Sequence, residues 1–135
     1  YKHFINDAGG SVCELDDPHT LQLLAEHTVI LYIRTSAALD DLLIARAKSH
    51  PKPLYYREAF LDEQLPLFMA EKGYRTEEEI PPDQFVSWVF PRLFHARLPR
   101  YQHIADEYGY TLDASRLAEI SHEGDFVELV CEALS

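Results

Sequence analysis

Apolar and polar positions change period several times along the chain, and each change marks an element. Residues 28–34, Thr28-Val29-Ile30-Leu31-Tyr32-Ile33-Arg34, are β-branched and nearly continuously apolar. That is the pattern of a strand covered on both faces in the middle of a parallel sheet. A shorter run, Phe4-Ile5-Asn6-Asp7, ends in a carboxylate and breaks into Gly9-Gly10, which predicts a buried strand delivering a polar loop at its tip. Between the two, residues 11–15 fit a short helical turn. Asp17-Pro18 is a helix start, with Asp17 as N-cap and Pro18 at the first helical position ahead of Leu21, Leu23, Leu24 and Ala25. Ser36 caps a second helix through Ser49 with Leu39, Leu42, Leu43 and Ala47 along one side. Its first turn is acidic, and Arg46 and Lys48 stand near its end, as the helix dipole favours. Strand followed by helix, twice over, is the order of a doubly wound α/β protein.

The second half reads as helix-rich. Pro51-Lys52-Pro53 ends the preceding helix, and Leu54-Tyr55-Tyr56 follows in extended form. Residues 57–72 predict a helix with Phe60, Leu61, Leu65, Phe68 and Met69 inward, kinked at Pro66 and stopped by Gly73. A polar connection follows, in which Glu77-Glu78-Glu79 is a solvated helix start. Residues 83–108 carry Phe85, Val89, Leu93, Arg97, Tyr101, Ile104 and Tyr108 along one side, interrupted by Pro91 and Pro99. Arg97 therefore stands inside an otherwise apolar stripe. Tyr110-Thr111-Leu112-Asp113 fits a short strand and residues 114–120 a helical turn. A closing helix over 124–134 would bury Phe126, Val127, Val130, Cys131 and Leu134.

Composition narrows the function classes. A chain of 135 residues, 47% hydrophobic and 26% charged, predicts one domain over 1–135 with a real core. With 23 acidic against 12 Lys and Arg side chains, the net charge of -11 repels nucleic acid and anionic membranes. Neither is expected as a partner, and the absence of a long apolar run points to a cytoplasmic protein. Cys13 and Cys131 lack CxxC spacing and read as buried thiols in a reducing compartment, with a disulfide between them left open. Seven histidines lack HExxH spacing, and Ser11 is not in a GxSxG elbow. A first residue of Tyr1 directly before a core strand suggests a piece of a longer polypeptide.

Four places resemble the C-terminal half of a small P-loop kinase of the shikimate kinase and nucleotide kinase group. Asp7-Ala8-Gly9-Gly10 resembles the Gly-Gly turn after the third strand of those enzymes, and residues 28–34 resemble their next core strand. Arg46 followed by Lys52-Pro53-Leu54 resembles the lid. Arg97-Leu98-Pro99-Arg100-Tyr101, then Ile104-Ala105 and Thr111-Leu112-Asp113, resembles the helix presenting a substrate-binding arginine and the strand after it. The sequence departs from the family where Lys52 replaces a lid arginine, a point charge for a forked donor. The segment between Tyr55 and Arg92 is also longer than a shikimate kinase lid. No GxxxxGK[ST] is present, since the glycines are Gly9, Gly10, Gly73, Gly109 and Gly124.

The resemblance implies a partial three-layer α/β fold with few parallel strands, whose P-loop strand lies upstream and between residues 4–7 and 28–34. It implies ATP and Mg²⁺ as cofactors, a small-molecule phosphoryl acceptor as partner, and a kinase or ATPase that is inactive as this chain alone. Asp7 would hold the Mg²⁺ shell or orient the attacking group; an Asx turn is its alternative. Gly9 and Gly10 would let the acceptor approach the backbone. Arg97 would clamp an anionic group of the acceptor, its alternative being a structural ion pair. Arg46 and Lys52 would close over the nucleotide phosphates, or else serve the helix dipole. A second reading of the whole is a non-catalytic, mainly helical interaction module, in its simplest form a homodimer, using the aromatic segment from Phe85 to Phe94 as a contact surface.

Overall fold

In the computed structural model, which describes residues 2 and 4–135, the first helix starts where its cap is encoded. Helix α1 spans Pro18–His27, and the Asp17 side chain accepts from the His19 N–H at 3.2 Å and the Thr20 hydroxyl at 2.5 Å. The Thr20 hydrogen bond, above all, holds the Asp17 carboxyl below its ordinary range. Strand β1 follows at Leu31–Arg34, and Ser36 caps α2, Ala37–Ser49, by accepting from the Leu39 N–H at 3.2 Å. Helix α3, Glu58–Lys72, ends at Gly73, whose φ of 78° lets the chain turn with the N–H groups of Gly73 and Tyr74 both on the Met69 carbonyl. A 3-10 turn at Glu77–Glu79, closed by a Thr76–Glu79 capping box, leads into α4, Pro82–Tyr108. Strand β2 at Tyr110–Asp113, a 3-10 segment at Ala114–Glu119 and α5, Glu123–Leu134, complete the chain.

Among the described residues the architecture is mostly helical with one two-stranded parallel sheet, compatible with an α/β class. Strand β1 pairs with β2 from Leu31 opposite Tyr110 to Arg34 opposite Asp113, so the whole stretch from α2 to α4 is the crossover between parallel neighbours. Gly109 makes that pairing reachable. A Cβ there would lie 2.4 Å from the Ile30 carbonyl oxygen, the atom that accepts from the Tyr110 N–H at 2.9 Å.

Two separate clusters carry the core. Cys13, Leu21 and Ile104, with Leu24, Ile30, Tyr101 and Tyr108, join α1 to the C-terminal half of α4. Phe68, Phe85 and Val89, with Tyr56, Phe60, Tyr74 and Trp88 against them, hold α3 to the N-terminal half of α4. The long helix is thus the shared spine. The second cluster is dense in edge-to-face pairs, with Phe68 5.3 Å from both Phe85 and Trp88 between ring centroids. Arg92 lies 3.6 Å over the Trp88 ring, and the Trp88 indole donates to Glu71.

Several expectations are corrected. Residues 4–7 form no strand: Phe4 is 87% and Ile5 71% exposed, since no neighbouring strand among the described residues offers them hydrogen bonds or cover. The predicted central strand over 28–34 shrinks to four residues and is an edge strand of the two-stranded sheet, leaving Val29 and Ile33 exposed. Pro91 and Pro99 do not interrupt α4, because Phe85, Val89, Leu93, Ile104 and Ala105 bury one continuous face that outweighs about 3 kcal/mol per internal proline. In α5 the buried residue is Leu129, and Val127, Cys131 and Leu134 are exposed. Cys13 is the one buried thiol of the two, and both are free. Within the aromatic segment from Phe85 to Phe94, Phe85, Val89 and Leu93 are buried, while Trp88, Phe90 and Phe94 are half-buried. No described helix is long and apolar enough to cross a membrane.

Candidate functional site

The loop that follows residues 4–7 turns on Asp7, whose carboxylate accepts from the Gly9 N–H at 2.9 Å. This is the Asx turn of the alternative reading, and among the described residues it uses one oxygen only. Gly9 has φ 63° and nothing within 4 Å of its missing Cβ, so open space adjoins the backbone there. Gly10 differs. A Cβ on it would stand 2.6 Å from the Tyr101 hydroxyl oxygen and 3.1 Å from Arg97 Nη1. The Gly10 position is glycine because α4 leans two polar side chains onto the loop, and the approaching groups belong to the protein itself.

The loop and α4 are tied together by a compact polar cluster. Tyr101 donates its hydroxyl to the Gly10 carbonyl at 3.0 Å, and the Cys13 thiol donates to the same carbonyl at 3.1 Å. Burial pushes the Tyr101 phenol up to about 12 and raises the Cys13 thiol as well. At the end of the 3-10 turn Gly10–Glu14, the Glu14 carboxylate is 9% exposed and holds three arginines. Arg97 Nε meets Oε1 at 3.0 Å; Arg57 Nε and Arg100 Nη1 meet Oε2 at 3.0 Å each. Arg57 also reaches Asp16 at 3.3 Å. The Arg97 side chain is 12% exposed, so the charged interruption of the apolar stripe is an ion pair facing the loop.

The structure brings Gly9, Gly10 and Arg97 to one place, and among the described residues neither Arg46 nor Lys52 makes a side-chain hydrogen bond to them. Both of these basic residues are exposed, and neither makes an ion pair among the described residues. Glu14, Arg57, Arg100 and Tyr101 are the members that sequence reasoning missed as site residues. The spacing of Arg97, Arg100 and Tyr101 at i, i+3 and i+4 places them on one helix face and was a usable signal. Glu14 carried none, since its partners lie 43 to 86 positions away.

Of two concave regions among the described residues, one borders the cluster. One of about 290 Å³ lies between the first turn of α1 and α4, lined by Asp17, Pro18, Leu21, Arg100, His103 and Ile104 among others. The other, about 370 Å³, opens beyond the carboxyl ends of β1 and β2, between Arg34, Thr35, Ser36, Asp113, Ala114 and Ser115. Arg34 and Asp113, opposite each other in the sheet register, are ion-paired at 3.0 Å at its edge. Among the described residues no three His, Cys, Asp or Glu side chains converge as a metal site.

No protein-family model, no curated protein and no solved structure matches this chain.

Proposed function

We propose that the chain is the acceptor and lid half of an ATP-dependent phosphoryl-transfer protein, a kinase or ATPase whose phosphate-cradling P-loop lies outside it. The observation that carries this reading is the convergence of the Gly9-Gly10 loop with Arg97 from the middle of α4. Such a protein has little covalent work to do; it positions groups and neutralises charge. The open backbone at Gly9 and the arginine beside Gly10 suit an anionic acceptor. Among the described residues β1 is paired on one side only, and its other edge, with Ile33 exposed, suits one more parallel strand carrying the P-loop.

Asp7 suits a Mg²⁺ ion, while the ATP phosphates would be cradled by the P-loop outside this chain. Mg²⁺ keeps several waters and takes one or two carboxylates plus phosphate oxygens, a donor set to which the Asp7 carboxylate, bonded through one oxygen among the described residues, can contribute. Bound there, the metal would supply charge neutralisation at the transferring phosphate. Asp7 would hold that shell, Arg97 would orient the acceptor's anionic group, and the exposed Arg46 and Lys52 would meet nucleotide phosphates. The crevice beyond β1 and β2 lies where open α/β sheets take ligands.

Isothermal titration of Mg-ATP against the longest polypeptide the gene encodes tests the reading. Saturable, Mg²⁺-dependent binding is expected there and not with residues 1–135 alone. The absence of a GxxxxGK[ST] segment from that polypeptide, or of any Mg-ATP binding by it, overturns the proposal.

A further inference from the structure

We propose that Arg57, Arg97 and Arg100 form a site for a phosphate-type dianion, which the chain's own Glu14 carboxylate occupies in this structure. Three guanidiniums from two elements, the N-cap of α3 and the middle of α4, meet the two oxygens of one carboxylate. Guanidiniums repel one another, so their convergence needs an anion between them. Glu14 and Asp16 together bring two negative charges against three positive ones, leaving one positive charge in excess on a chain of net charge -11.

Each arginine is also held without the Glu14 carboxylate. Arg57 donates to the Glu14 backbone carbonyl and to Asp16, Arg97 to the Tyr55 carbonyl, and Arg100 Nη1 lies 3.5 Å from the Cys13 carbonyl. With the Glu14 side chain turned away, Arg57 and Arg97 would keep these partners, and Arg100 would keep one contact at 3.5 Å. A tetrahedral dianion offers three oxygens to them and cancels more charge than a carboxylate, which is the match that arginine forks make best. The site borders Gly10 through Arg97, whose Nη1 is 3.1 Å from the position of a Gly10 Cβ. Assigning the dianion to the phosphoryl acceptor rests on the reading above and makes that acceptor a phosphorylated small molecule. The anion site itself stands on the arginine geometry.

Inorganic phosphate is the probe, titrated into the chain at constant ionic strength set with chloride and followed by calorimetry and by the thermal unfolding midpoint. Wild type is expected to bind phosphate saturably at one site, with acetate giving no comparable saturation. Arg100→Gln, at a side chain 44% exposed, weakens binding roughly tenfold; Glu14→Gln, which removes the internal competitor, tightens it roughly tenfold. Should Glu14→Gln not fold, Glu14→Asp, with a shorter reach, is expected to shift affinity in the same direction. Lack of saturable binding by wild type, indifference to Arg100→Gln, or binding by Glu14→Gln alone makes the cluster a structural ion network and overturns the proposal. Equal saturation by acetate overturns the dianion. Mg-ATP binding by the longer polypeptide is read separately: phosphate binding lost with Mg-ATP binding intact sinks only the anion site, and the reverse sinks only the phosphoryl-transfer reading.

Discussion

The Tyr101 hydroxyl donates to the Gly10 carbonyl at 3.0 Å across 91 positions of sequence, fastening the middle of α4 to the loop at the head of the chain. Tyr101→Phe keeps the ring and removes this bond, and is expected to cost about 1 kcal/mol in urea unfolding. An unchanged midpoint would mean the contact is incidental.

The same phenol sets a pH dependence. Burial raises the Tyr101 pKa to about 12 in the folded protein, above the ordinary value near 10. Folding therefore favours the neutral phenol. Its contribution is fully present below the unfolded pKa and is lost as pH rises from about 10 through about 12. The difference in stability between wild type and Tyr101→Phe should shrink across that window, which unfolding curves at a series of alkaline pH values would reveal. A constant difference would contradict the burial assigned to this side chain.

Three glycines should respond differently to alanine. Gly109→Ala puts a Cβ 2.4 Å from backbone oxygen of Ile30, which cannot yield without loosening the β1–β2 pairing. Gly10→Ala meets the ends of Tyr101 and Arg97, which can move, at a cost of about 1–3 kcal/mol. Gly9→Ala meets nothing but keeps φ at 63°, for about 1–2 kcal/mol. Denaturant midpoints should fall furthest for Gly109→Ala. If that variant is the mildest of the three, the register at Gly109 is wrong.

The α3–α4 arm rests on Phe68, which is fully buried. Phe68→Ala should cost about 3–5 kcal/mol and shift the emission of Trp88, the only tryptophan, to longer wavelength as its ring loses cover. A mutant with native emission and stability would show that the arm is held some other way.

Glu14→Ala in phosphate-free buffer leaves three guanidiniums without their shared carboxylate. A loss of about 3–5 kcal/mol is expected, because an uncompensated charge remains where a pair was. A loss below about 1 kcal/mol would place the cluster among ordinary surface ion pairs.

Local signals were legible in the sequence where a single residue type carries the physics. Asp17 and Pro18 starting α1, Ser36 capping α2, Gly73 stopping α3 and the strand at Tyr110–Asp113 all stand as read. Misreadings arose where partners decide. Phe4 and Ile5 look like strand residues, yet a strand exists only beside another strand, and the described residues supply none for them. Pro91 and Pro99 look like breaks, but the buried face of α4 on both sides overrides them. Arg97 was visible as an oddity in an apolar stripe. Glu14, the residue that explains it, sits 83 positions away, and only the folded chain joins them.

ATP turnover, measured on residues 1–135 alone and on the longest polypeptide the gene encodes, tests the phosphoryl-transfer reading most directly. No turnover by the chain alone and Mg²⁺-dependent turnover by the longer polypeptide, reduced by Arg97→Gln when acceptor is present, is the predicted result. Turnover by the chain alone, or none by the longer polypeptide, would contradict it.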